Sequence, residues 1–186
     1  MSKKPKLVIV TGRPGAGKTT LSKKLGELLN LPVLSRDEFK EGYVNTFQVK
    51  HSKLPEDTNK VVTDAFFEII ELMLSKNVSL IAEAAFQHSV WETLVEKVKD
   101  ICDMSIVICE VDSEVAAKRH LERGLEDSSR EYFHGDNRVS HYKKTGEVLA
   151  AGEYSPPKFS YPTIVVSTAD EYSPSLDSIK DKIFSR

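Results

Sequence analysis

The chain has 186 residues, of which 40% are hydrophobic and 29% are charged, and its 26 basic and 28 acidic residues give a net charge of −2. This size and composition predict one globular domain over residues 1–186, with a core large enough to fold without a metal or a disulfide. The nearly balanced charge argues against a long nucleic-acid partner, although it does not exclude a short nucleic acid as a substrate.

The sequence gives no signal for a membrane or a secretory pathway. No apolar run is long enough to cross a bilayer, and the basic segment MSKKPK is followed by too few apolar residues for the core of a signal peptide. Cys102 and Cys109 lack the spacing of zinc ligands and are expected to be buried thiols. We therefore expect a cytoplasmic protein with no membrane partner, acting as a monomer or a homodimer.

The first predicted strand, Leu7–Thr11, leads into a glycine-rich loop and then into a helix marked by leucines at helical spacing. The loop has the form Gly12-x-x-x-x-Gly17-Lys18-Thr19, in the strand, loop and helix context that the P-loop pattern requires. The pattern therefore predicts a phosphate-binding loop made of Gly12, Arg13, Pro14, Gly15, Ala16, Gly17, Lys18, Thr19 and Thr20.

The residue types of this loop suit a polyphosphate. Glycine lets main-chain N–H groups approach phosphate oxygens closely, and the amino end of the following helix adds the positive end of its dipole. Lys18 can reach the β- and γ-phosphates, and the Thr19 hydroxyl can take one coordination position of Mg²⁺. We therefore expect ATP and Mg²⁺ as cofactors.

Four further apolar runs predict strands, and several are apolar throughout, as expected for parallel strands buried on both faces. They are Pro32–Ser35, Val78–Ala82, Met104–Val111 and Thr163–Val166. Asp57 or Thr58 can cap a helix between the second and third strands. Its spacing predicts one buried face made of Val62, Ala65, Phe66, Ile69 and Met73.

Three more helices are predicted from their ends. Ser89-x-x-Glu92 has the form of a capping box, Ser113 can cap a shorter helix that stops at Gly124, and Ser173-Pro174 opens the last helix. Strands that alternate with helices predict a three-layer α/β/α sandwich with a five-stranded, mainly parallel sheet and right-handed crossovers.

Ligands of such sheets collect at the carboxyl ends of the strands, so the residues after each apolar run form the candidate site. Asp37 follows the second strand and is the candidate general base on an acceptor hydroxyl, although it could also cap a helix that starts at Glu38. Lys40 lies on the same helix face and can bind an anionic group of the acceptor. The sequence alone nevertheless favours a solvated side chain for Lys40.

Polar residues also follow the later strands. Glu83 ends an almost wholly apolar run, where an unpaired carboxylate would be costly, so we expect it to meet Mg²⁺ through water, an arginine or an acceptor hydroxyl. Asp112 can serve a metal or cap the next helix. Ser167, Thr168 and Ala169 after the last strand could border an adenine base or make no contact with it.

A polar segment that carries arginines predicts a mobile lid at about residues 122–138. Arg119 and Arg123 share one helix face, and Arg130 follows in the stretch GLEDSSREYFHGDNR. Arginines on a closing segment can stabilise charge on a transferring phosphoryl group, and closure excludes water. For each arginine, an ordinary surface salt bridge is the alternative.

The chain resembles the P-loop kinases of small hydroxyl-bearing acceptors. The resemblance lies in the segments GRPGAGKTT and LSRDEFKEG, the acidic third strand and the arginine-bearing segment. The two quoted segments look like those of 5′-hydroxyl polynucleotide kinase domains and of a predicted-kinase group often labelled AAA-type ATPases. Chloramphenicol phosphotransferases and zeta toxins are similar at a greater distance. The resemblance spans nearly the whole chain and implies a P-loop nucleoside triphosphate hydrolase fold, nucleoside-kinase-like with an arginine lid.

The resemblance also implies roles for individual residues. The aspartate that matches Asp37 is the base on the acceptor hydroxyl, Lys18 and Thr19 serve ATP and Mg²⁺, and a lid arginine matching Arg119, Arg123 or Arg130 touches the phosphates. Polynucleotide kinases carry an arginine at the position of Lys40, and this difference argues against a nucleic-acid acceptor.

The sequence thus predicts a kinase that moves the γ-phosphate of ATP to a hydroxyl of a small-molecule acceptor. The alternatives are a 5′-hydroxyl polynucleotide kinase-like enzyme, a zeta toxin-like kinase of a nucleotide sugar, and a switch that binds or hydrolyses ATP without an acceptor. A GTPase is disfavoured because the chain has no Asn-Lys-x-Asp and no Asp-x-x-Gly after a strand.

Overall fold

The computed structural model describes residues 3–184, so residues 1–2 and 185–186 of the predicted domain range lie outside the described part. Five strands form one sheet. They are β1 Lys6–Thr11, β2 Val33–Ser35, β3 Leu80–Glu83, β4 Asp103–Glu110 and β5 Thr163–Ser167. Their order in the sheet is β2-β3-β1-β4-β5, and all four pairings are parallel.

Helices connect the strands and cover the sheet. They are α1 Lys18–Leu29, α2 Arg36–Phe47, α3 Thr58–Ser75, α4 His88–Val98, α5 Ser113–Glu126, α6 Ser129–His134, α7 Arg138–Thr145 and α8 Leu176–Phe184, with a 3₁₀ turn at His51–Lys53. Within residues 3–184, none of them is long and apolar enough to span a bilayer. The predicted three-layer α/β/α architecture is confirmed, with strand ends shifted by one or two residues.

The central strand β1 supplies side chains to both faces of the sheet. Leu7 and Ile9 pack with α3 and α4 on one face, and Val8 and Val10 pack with α1 and α8 on the other. Alternate residues of a strand point to opposite faces, so a strand that is covered on both sides is apolar throughout. This double layer holds the carboxyl end of β1, from which the glycine-rich loop starts.

The predicted ends of two helices were wrong. The helix α4 begins at His88, whose N–H donates to the carbonyl oxygen of Ser155, so Ser89 lies inside the helix and does not cap it. The helix α5 continues past Gly124 to Glu126. A side chain at Gly124 would lie 2.8 Å from a methyl group of Val139. This glycine therefore allows close packing against α7 and does not end α5.

The buried face of α3 is rotated from the predicted one. Val62 and Phe66 are buried as expected, but Ala65 and Ile69 are exposed. Phe67, Ile70 and Leu74 are buried in their place. Apolar residues occur almost all round this helix, so spacing alone does not select a face. The larger side chains at the neighbouring positions pack against the sheet.

Two adjacent isoleucines of α3 provide a test of this packing. Ile70 is fully buried and Ile69 is 38% exposed. We expect Ile70→Ala to lower the free energy of unfolding by about 2–5 kcal/mol, because it leaves a cavity in the core, and Ile69→Ala to lower it by less than about 1 kcal/mol. Urea unfolding of both variants measures the difference. Equal losses would contradict the observed face.

Candidate active site

The glycine-rich loop, residues 12–19, is pressed against the backbone of β4 and α5. Gly12 has φ +145° and Gly15 has φ +85°, values that side chains disfavour. A Cβ atom at Gly12 would lie 2.5 Å from the carbonyl oxygen of Cys109, and one at Gly15 would collide with the carbonyl of Ala116. Glycine is thus required at both positions by the positive φ and by the close backbone contact.

Two hydroxyl groups from the end of the chain hold the loop at its edges. The buried Thr168 hydroxyl donates to the carbonyl oxygen of Ala16 at 2.9 Å. At the start of the loop, the Tyr154 hydroxyl lies 2.8 Å from the hydroxyl of Thr11. The loop therefore depends on residues that are far from it in sequence.

Thr11 joins three parts of the chain. Its hydroxyl donates to the carbonyl oxygen of Ala84 at 2.9 Å and accepts from the indole N–H of Trp91 at 3.0 Å. With the Tyr154 contact, these bonds use the one donor and both acceptor positions of a threonine hydroxyl. Sequence reasoning assigned no role to Trp91 or Tyr154. Along the chain, Trp91 is 80 residues and Tyr154 is 143 residues from their common partner Thr11.

Lys18 is buried at the first turn of α1, with a relative exposure of 8%. Its ammonium group donates to the carbonyl oxygen of Arg13 at 3.1 Å. Burial lowers the pKa of Lys18, and the negative charge of nearby Glu83 opposes that shift. The ammonium is thus held within the loop and faces a carboxylate of the neighbouring strand.

Glu83 is the buried acidic end of β3, with 4% exposure. Its carboxylate accepts hydrogen bonds from the hydroxyls of Ser35 at 2.7 Å and Thr19 at 3.4 Å. Burial raises the pKa of Glu83, and the charge of Lys18 opposes the increase. An arginine was one of the partners expected for Glu83, but within residues 3–184 no arginine donates a hydrogen bond to it. The carboxylate instead contacts Thr19 of the loop and Ser35, which the sequence did not single out.

The candidate base Asp37 lies in the first turn of α2. The strand β2 ends at Ser35, which is the N-cap residue, and the helix begins at Arg36. Asp37 is therefore inside the helix and does not cap it. Its exposed carboxylate is close enough to Lys18 and Arg123 to raise the pKa of both groups, against the larger opposite effect of their burial.

The expectation of a solvated Lys40 was wrong. This lysine is only 5% exposed, and its ammonium donates to the carbonyl oxygen of His134 at 3.2 Å. Burial and the nearby charge of Arg36 lower the pKa of Lys40 to about 8. Its helix face is covered by the end of α6, a contact between distant segments that the sequence pattern does not reveal.

One cleft of about 220 Å³ collects most of the predicted site residues. Its walls come from the loop, α2, the end of β3, α5 and α6. The residues that line it are Pro14, Lys18, Thr19, Asp37, Lys40, Glu83, Ala85, His120, Arg123, Arg130, His134 and Asp136. Two histidines and Asp136 were not predicted here.

The three predicted arginines are divided between two sites. Arg123 and Arg130 line the cleft, and burial, followed by the charge of Arg130, lowers the pKa of Arg123. Arg119 instead lines a second pocket of about 440 Å³ with Gly17, Thr20, Lys24, Thr168, Asp170, Glu171 and Tyr172. Its guanidinium donates to the carbonyl oxygens of Thr168, at 2.8 Å, and Ala169.

Asp112 acts as the N-cap of α5. Its carboxylate accepts hydrogen bonds from the backbone N–H groups of Glu114 at 2.8 Å and Val115 at 3.3 Å. Asp112 was expected either to serve a metal or to cap this helix, and in the structure it caps the helix. Asp112 does not line the cleft.

Two histidine contacts hold the segment 122–138 over the cleft. His120 lies 2.8 Å from the carboxylate of Asp136, and His134 lies 3.0 Å from that of Glu41. The first contact joins α5 to the end of the segment, and the second joins α6 to α2. These pairs bring Arg130 to the cleft beside Arg123.

Parts of the chain are similar in sequence to known proteins. A family model described as AAA domain matches residues 7–140. Curated proteins named "Putative adenylate kinase" from Saccharolobus islandicus and Saccharolobus solfataricus are 34% identical over 76 aligned residues, a match covering 34% of this chain and 38% of each relative. The chain thus spans less than half the length of these curated relatives.

Solved structures with a similar fold cover nearly the whole chain. A "putative kinase" from Chloroflexus aurantiacus has a TM-score of 0.77 at 23% identity and covers 95% of both chains. The APS kinase CysC of Mycobacterium tuberculosis, solved with AMPPNP and APS, has a TM-score of 0.63 at 15% identity, covering 98% of this chain and 99% of that one. Kti12 of Chaetomium thermophilum, solved with ADP-AlF3, has a TM-score of 0.62 at 18% identity, covering 96% and 99%. These likenesses show a kinase-like P-loop fold.

The Asp136 contact predicts a pH dependence of stability. Burial would raise the pKa of Asp136, but hydrogen bonds from His120 and the backbone of Arg138 lower it from 3.8 to about 2. A carboxyl group with a lowered pKa stabilises the folded state above its unfolded pKa, and this stabilisation is lost as the pH falls through the folded pKa. We expect Asp136→Asn to destabilise the protein at pH 7 and to have a smaller effect as the pH falls from about 4 through about 2.

Urea unfolding of wild type and Asp136→Asn at pH 7 and pH 3 measures this effect. Asp57→Asn is the matched control, because the exposed side chain of Asp57 makes no capping hydrogen bond. A loss in Asp136→Asn that is equal at both pH values would show that the contact does not depend on the charge of the carboxylate.

Proposed function

We propose that this chain, which belongs to the AAA domain family and has a kinase-like P-loop fold, is an ATP-dependent kinase that phosphorylates a hydroxyl of a small-molecule acceptor. The observation that carries the proposal is the cleft in which the loop residues Lys18 and Thr19 meet Asp37, Glu83 and two arginines. A protein that only bound a nucleotide would not need a carboxylate facing the end of the phosphate chain.

The two pockets on either side of the loop support an orientation for ATP. The loop amides would bind the triphosphate, as helix amino ends do. The pocket beside Gly17 and Thr20 would take the adenine, next to the Arg119 guanidinium and the ring of Tyr172. The AMPPNP and ADP bound in the similar structures support a nucleotide at this loop. The γ-phosphate would then point into the cleft.

The oxygen groups at the end of β3 fit Mg²⁺. Thr19 and Ser35 both present hydroxyls to the Glu83 carboxylate, and Mg²⁺ prefers oxygen ligands and retains several waters. We propose that Thr19 binds the ion directly and that Glu83 binds it through water. The ion would neutralise charge on the phosphates. The raised pKa of Glu83 agrees with a carboxylate that gains from a nearby cation.

The cleft residues divide the chemistry of transfer among them. Asp37 accepts the proton of the acceptor hydroxyl, whose oxygen forms a bond to the γ-phosphorus while the bond to the β–γ bridging oxygen breaks and ADP leaves. Lys18, Arg123 and Arg130 stabilise the charge on the transferring group. The segment 122–138 would act as the lid, because it supplies Arg130 and covers the cleft against water.

Asp37 and its neighbour Glu38 give a matched test of the base. Both are exposed acids in the first turn of α2, but only Asp37 lines the cleft. We expect Asp37→Asn to lower kcat for phosphoryl transfer roughly 100-fold while ATP affinity stays within a few-fold, and Glu38→Gln to change neither. Labelled ATP with a panel of metabolites and 5′-hydroxyl oligonucleotides measures transfer.

Other outcomes of this assay would replace the proposal. If no acceptor is labelled while ATP is hydrolysed rapidly, the chain is an ATP-hydrolysing switch. If oligonucleotides are labelled in preference to metabolites, it is a polynucleotide kinase. If a nucleotide sugar is the preferred acceptor, it resembles the zeta toxins in its activity.

Arg119 provides a test of the adenine pocket. We expect Arg119→Met to weaken ATP binding about 10-fold, equivalent to about 1.4 kcal/mol, because the base loses a cation beside its ring. The affinity for inorganic tripolyphosphate should not change, since that ligand reaches only the loop. Calorimetry with both ligands measures this. Equal losses for the two ligands would place Arg119 on the phosphates, as the sequence suggested.

A further inference from the structure

Ser35 occupies the N-cap position of α2 without capping the helix. Its backbone has the extended conformation of an N-cap residue, with φ −108° and ψ 124°. A serine in this place usually accepts a hydrogen bond from an N–H group of the first helical turn. The described structure gives the Ser35 side chain no such bond. Its hydroxyl therefore serves another contact.

That contact is with the buried carboxylate of Glu83. Ser35 is itself only 4% exposed, and its hydroxyl donates to Glu83 Oε2 at 2.7 Å. The two residues are also register partners at the ends of the neighbouring parallel strands β2 and β3. The hydrogen-bonded sheet thus fixes the donor beside the acceptor.

The same oxygen atom of Glu83 faces the glycine-rich loop. The Thr19 hydroxyl donates to Oε2 at 3.4 Å, which is longer than most O–H···O bonds, so the 2.7 Å bond from Ser35 is the stronger one. In the described part of the chain, both hydrogen bonds to this side chain end on Oε2 and none ends on Oε1. Ser35 therefore provides the stronger of the two restraints on the rotation of the carboxylate.

The orientation of this carboxylate matters for both of the proposed Mg²⁺ contacts. A hydroxyl binds a cation through its oxygen, so the proton of Thr19 needs an acceptor, and Glu83 Oε2 supplies one. The other oxygen, Oε1, can then accept from a water bound to the ion. Groups that hydrogen-bond a metal ligand from outside orient it, and their loss costs roughly 10- to 100-fold in metal affinity or activity.

We propose, on the basis of the kinase function above, that Ser35 is a positioning residue for Mg²⁺ and acts by fixing the Glu83 carboxylate beside the Thr19 hydroxyl. Among the described residues, Glu83 and Thr19 line the cleft and Ser35 does not, so its influence on the ion passes through Glu83. Ser35 also lies two residues before Asp37. The end of β2 thus orients the metal-binding acid and leads directly to the proposed base.

The alternative is a purely structural serine. A buried carboxylate without a donor destabilises a fold, and the hydroxyl of Ser35 could be needed for that reason alone. The structural role predicts that a variant without the hydroxyl is less stable but responds to Mg²⁺ as the wild type does. The positioning role predicts a weaker response to Mg²⁺.

Binding of AMPPNP with and without Mg²⁺ separates the two roles and needs no acceptor. Calorimetry of the full chain gives the Kd for AMPPNP in saturating Mg²⁺ and in EDTA. We expect Ser35→Ala to weaken binding about ten-fold in Mg²⁺ and less than about two-fold in EDTA. Ser35→Cys, whose thiol is a weaker donor of similar size, should give a smaller loss of the same kind. Ser105→Ala, at a buried serine of β4 that does not line the cleft, is the control and should change neither Kd.

A double-mutant cycle shows whether Ser35 acts through Glu83. We expect Glu83→Gln to reduce the dependence of AMPPNP binding on Mg²⁺, because the carboxylate charge is lost. Adding Ser35→Ala to Glu83→Gln should then cause no further reduction. A further reduction in the double variant would overturn the proposal, since Ser35 would then affect the ion by another route.

Two other results would overturn the proposal. If Ser35→Ala and Ser35→Cys weaken AMPPNP binding equally with and without Mg²⁺, or leave both Kd values unchanged, Ser35 has only the structural role. Urea unfolding of each variant measures that role and shows whether the variant is folded. Failure of the wild type to bind AMPPNP would overturn the kinase function together with this proposal, whereas a loss that is independent of Mg²⁺ overturns this proposal alone.

Discussion

The close approach of the glycine-rich loop to the backbone of β4 and α5 is the contact on which the rest of the site depends. At Gly12 and Gly15 the space that a side chain would occupy is filled by the carbonyl groups of Cys109 and Ala116. The loop is thus held between the sheet and a helix, and its free N–H groups have fixed directions. Lys18, the first residue of α1, directly follows this loop and lies near Glu83.

The parallel sheet arranges the chemistry along one edge. Because all carboxyl ends meet there, the pocket that Arg119 lines, the loop, Glu83 and α2 follow one another along this edge, at the ends of β5, β1, β3 and β2 respectively. Lys18 and Glu83, which lie close together on this edge, moderate each other's pKa. Lys18 opposes the rise in the pKa of Glu83, and Glu83 opposes the fall in the pKa of Lys18. Within residues 3–184, Lys40 forms no salt bridge, although the nearby charge of Asp37 opposes the fall in its pKa.

The sequence could predict the parts of this site that are local in the chain. The loop, the strands and the acids that follow them are encoded by short patterns, and the structure brings Lys18, Thr19, Asp37 and Glu83 into one cleft. Contacts between distant segments could not be predicted. Nothing near Lys40 indicates that α6 covers it, and the helical spacing of Arg119 and Arg123 does not show that they line different pockets.

The role of Gly124 shows why such patterns have limits. A glycine near the end of a helical pattern usually indicates a C-cap, but here it allows α7 to pack against α5. Glycine serves both purposes, and only the packing of the folded chain distinguishes a C-cap glycine from one at a helix–helix contact. The face of α3 was ambiguous because its apolar residues cover a wide part of its circumference, so that more than one face fits the spacing.

The bonds from Tyr154 and Thr168 to the glycine-rich loop have a consequence for biosynthesis. Two of the hydroxyls that hold the loop are translated more than 130 residues after their partners. A nascent chain that ends before Tyr154 has the full nucleotide-binding motif and lacks both of these restraints. The loop is therefore held at both of its edges only after Tyr154 and Thr168 have emerged.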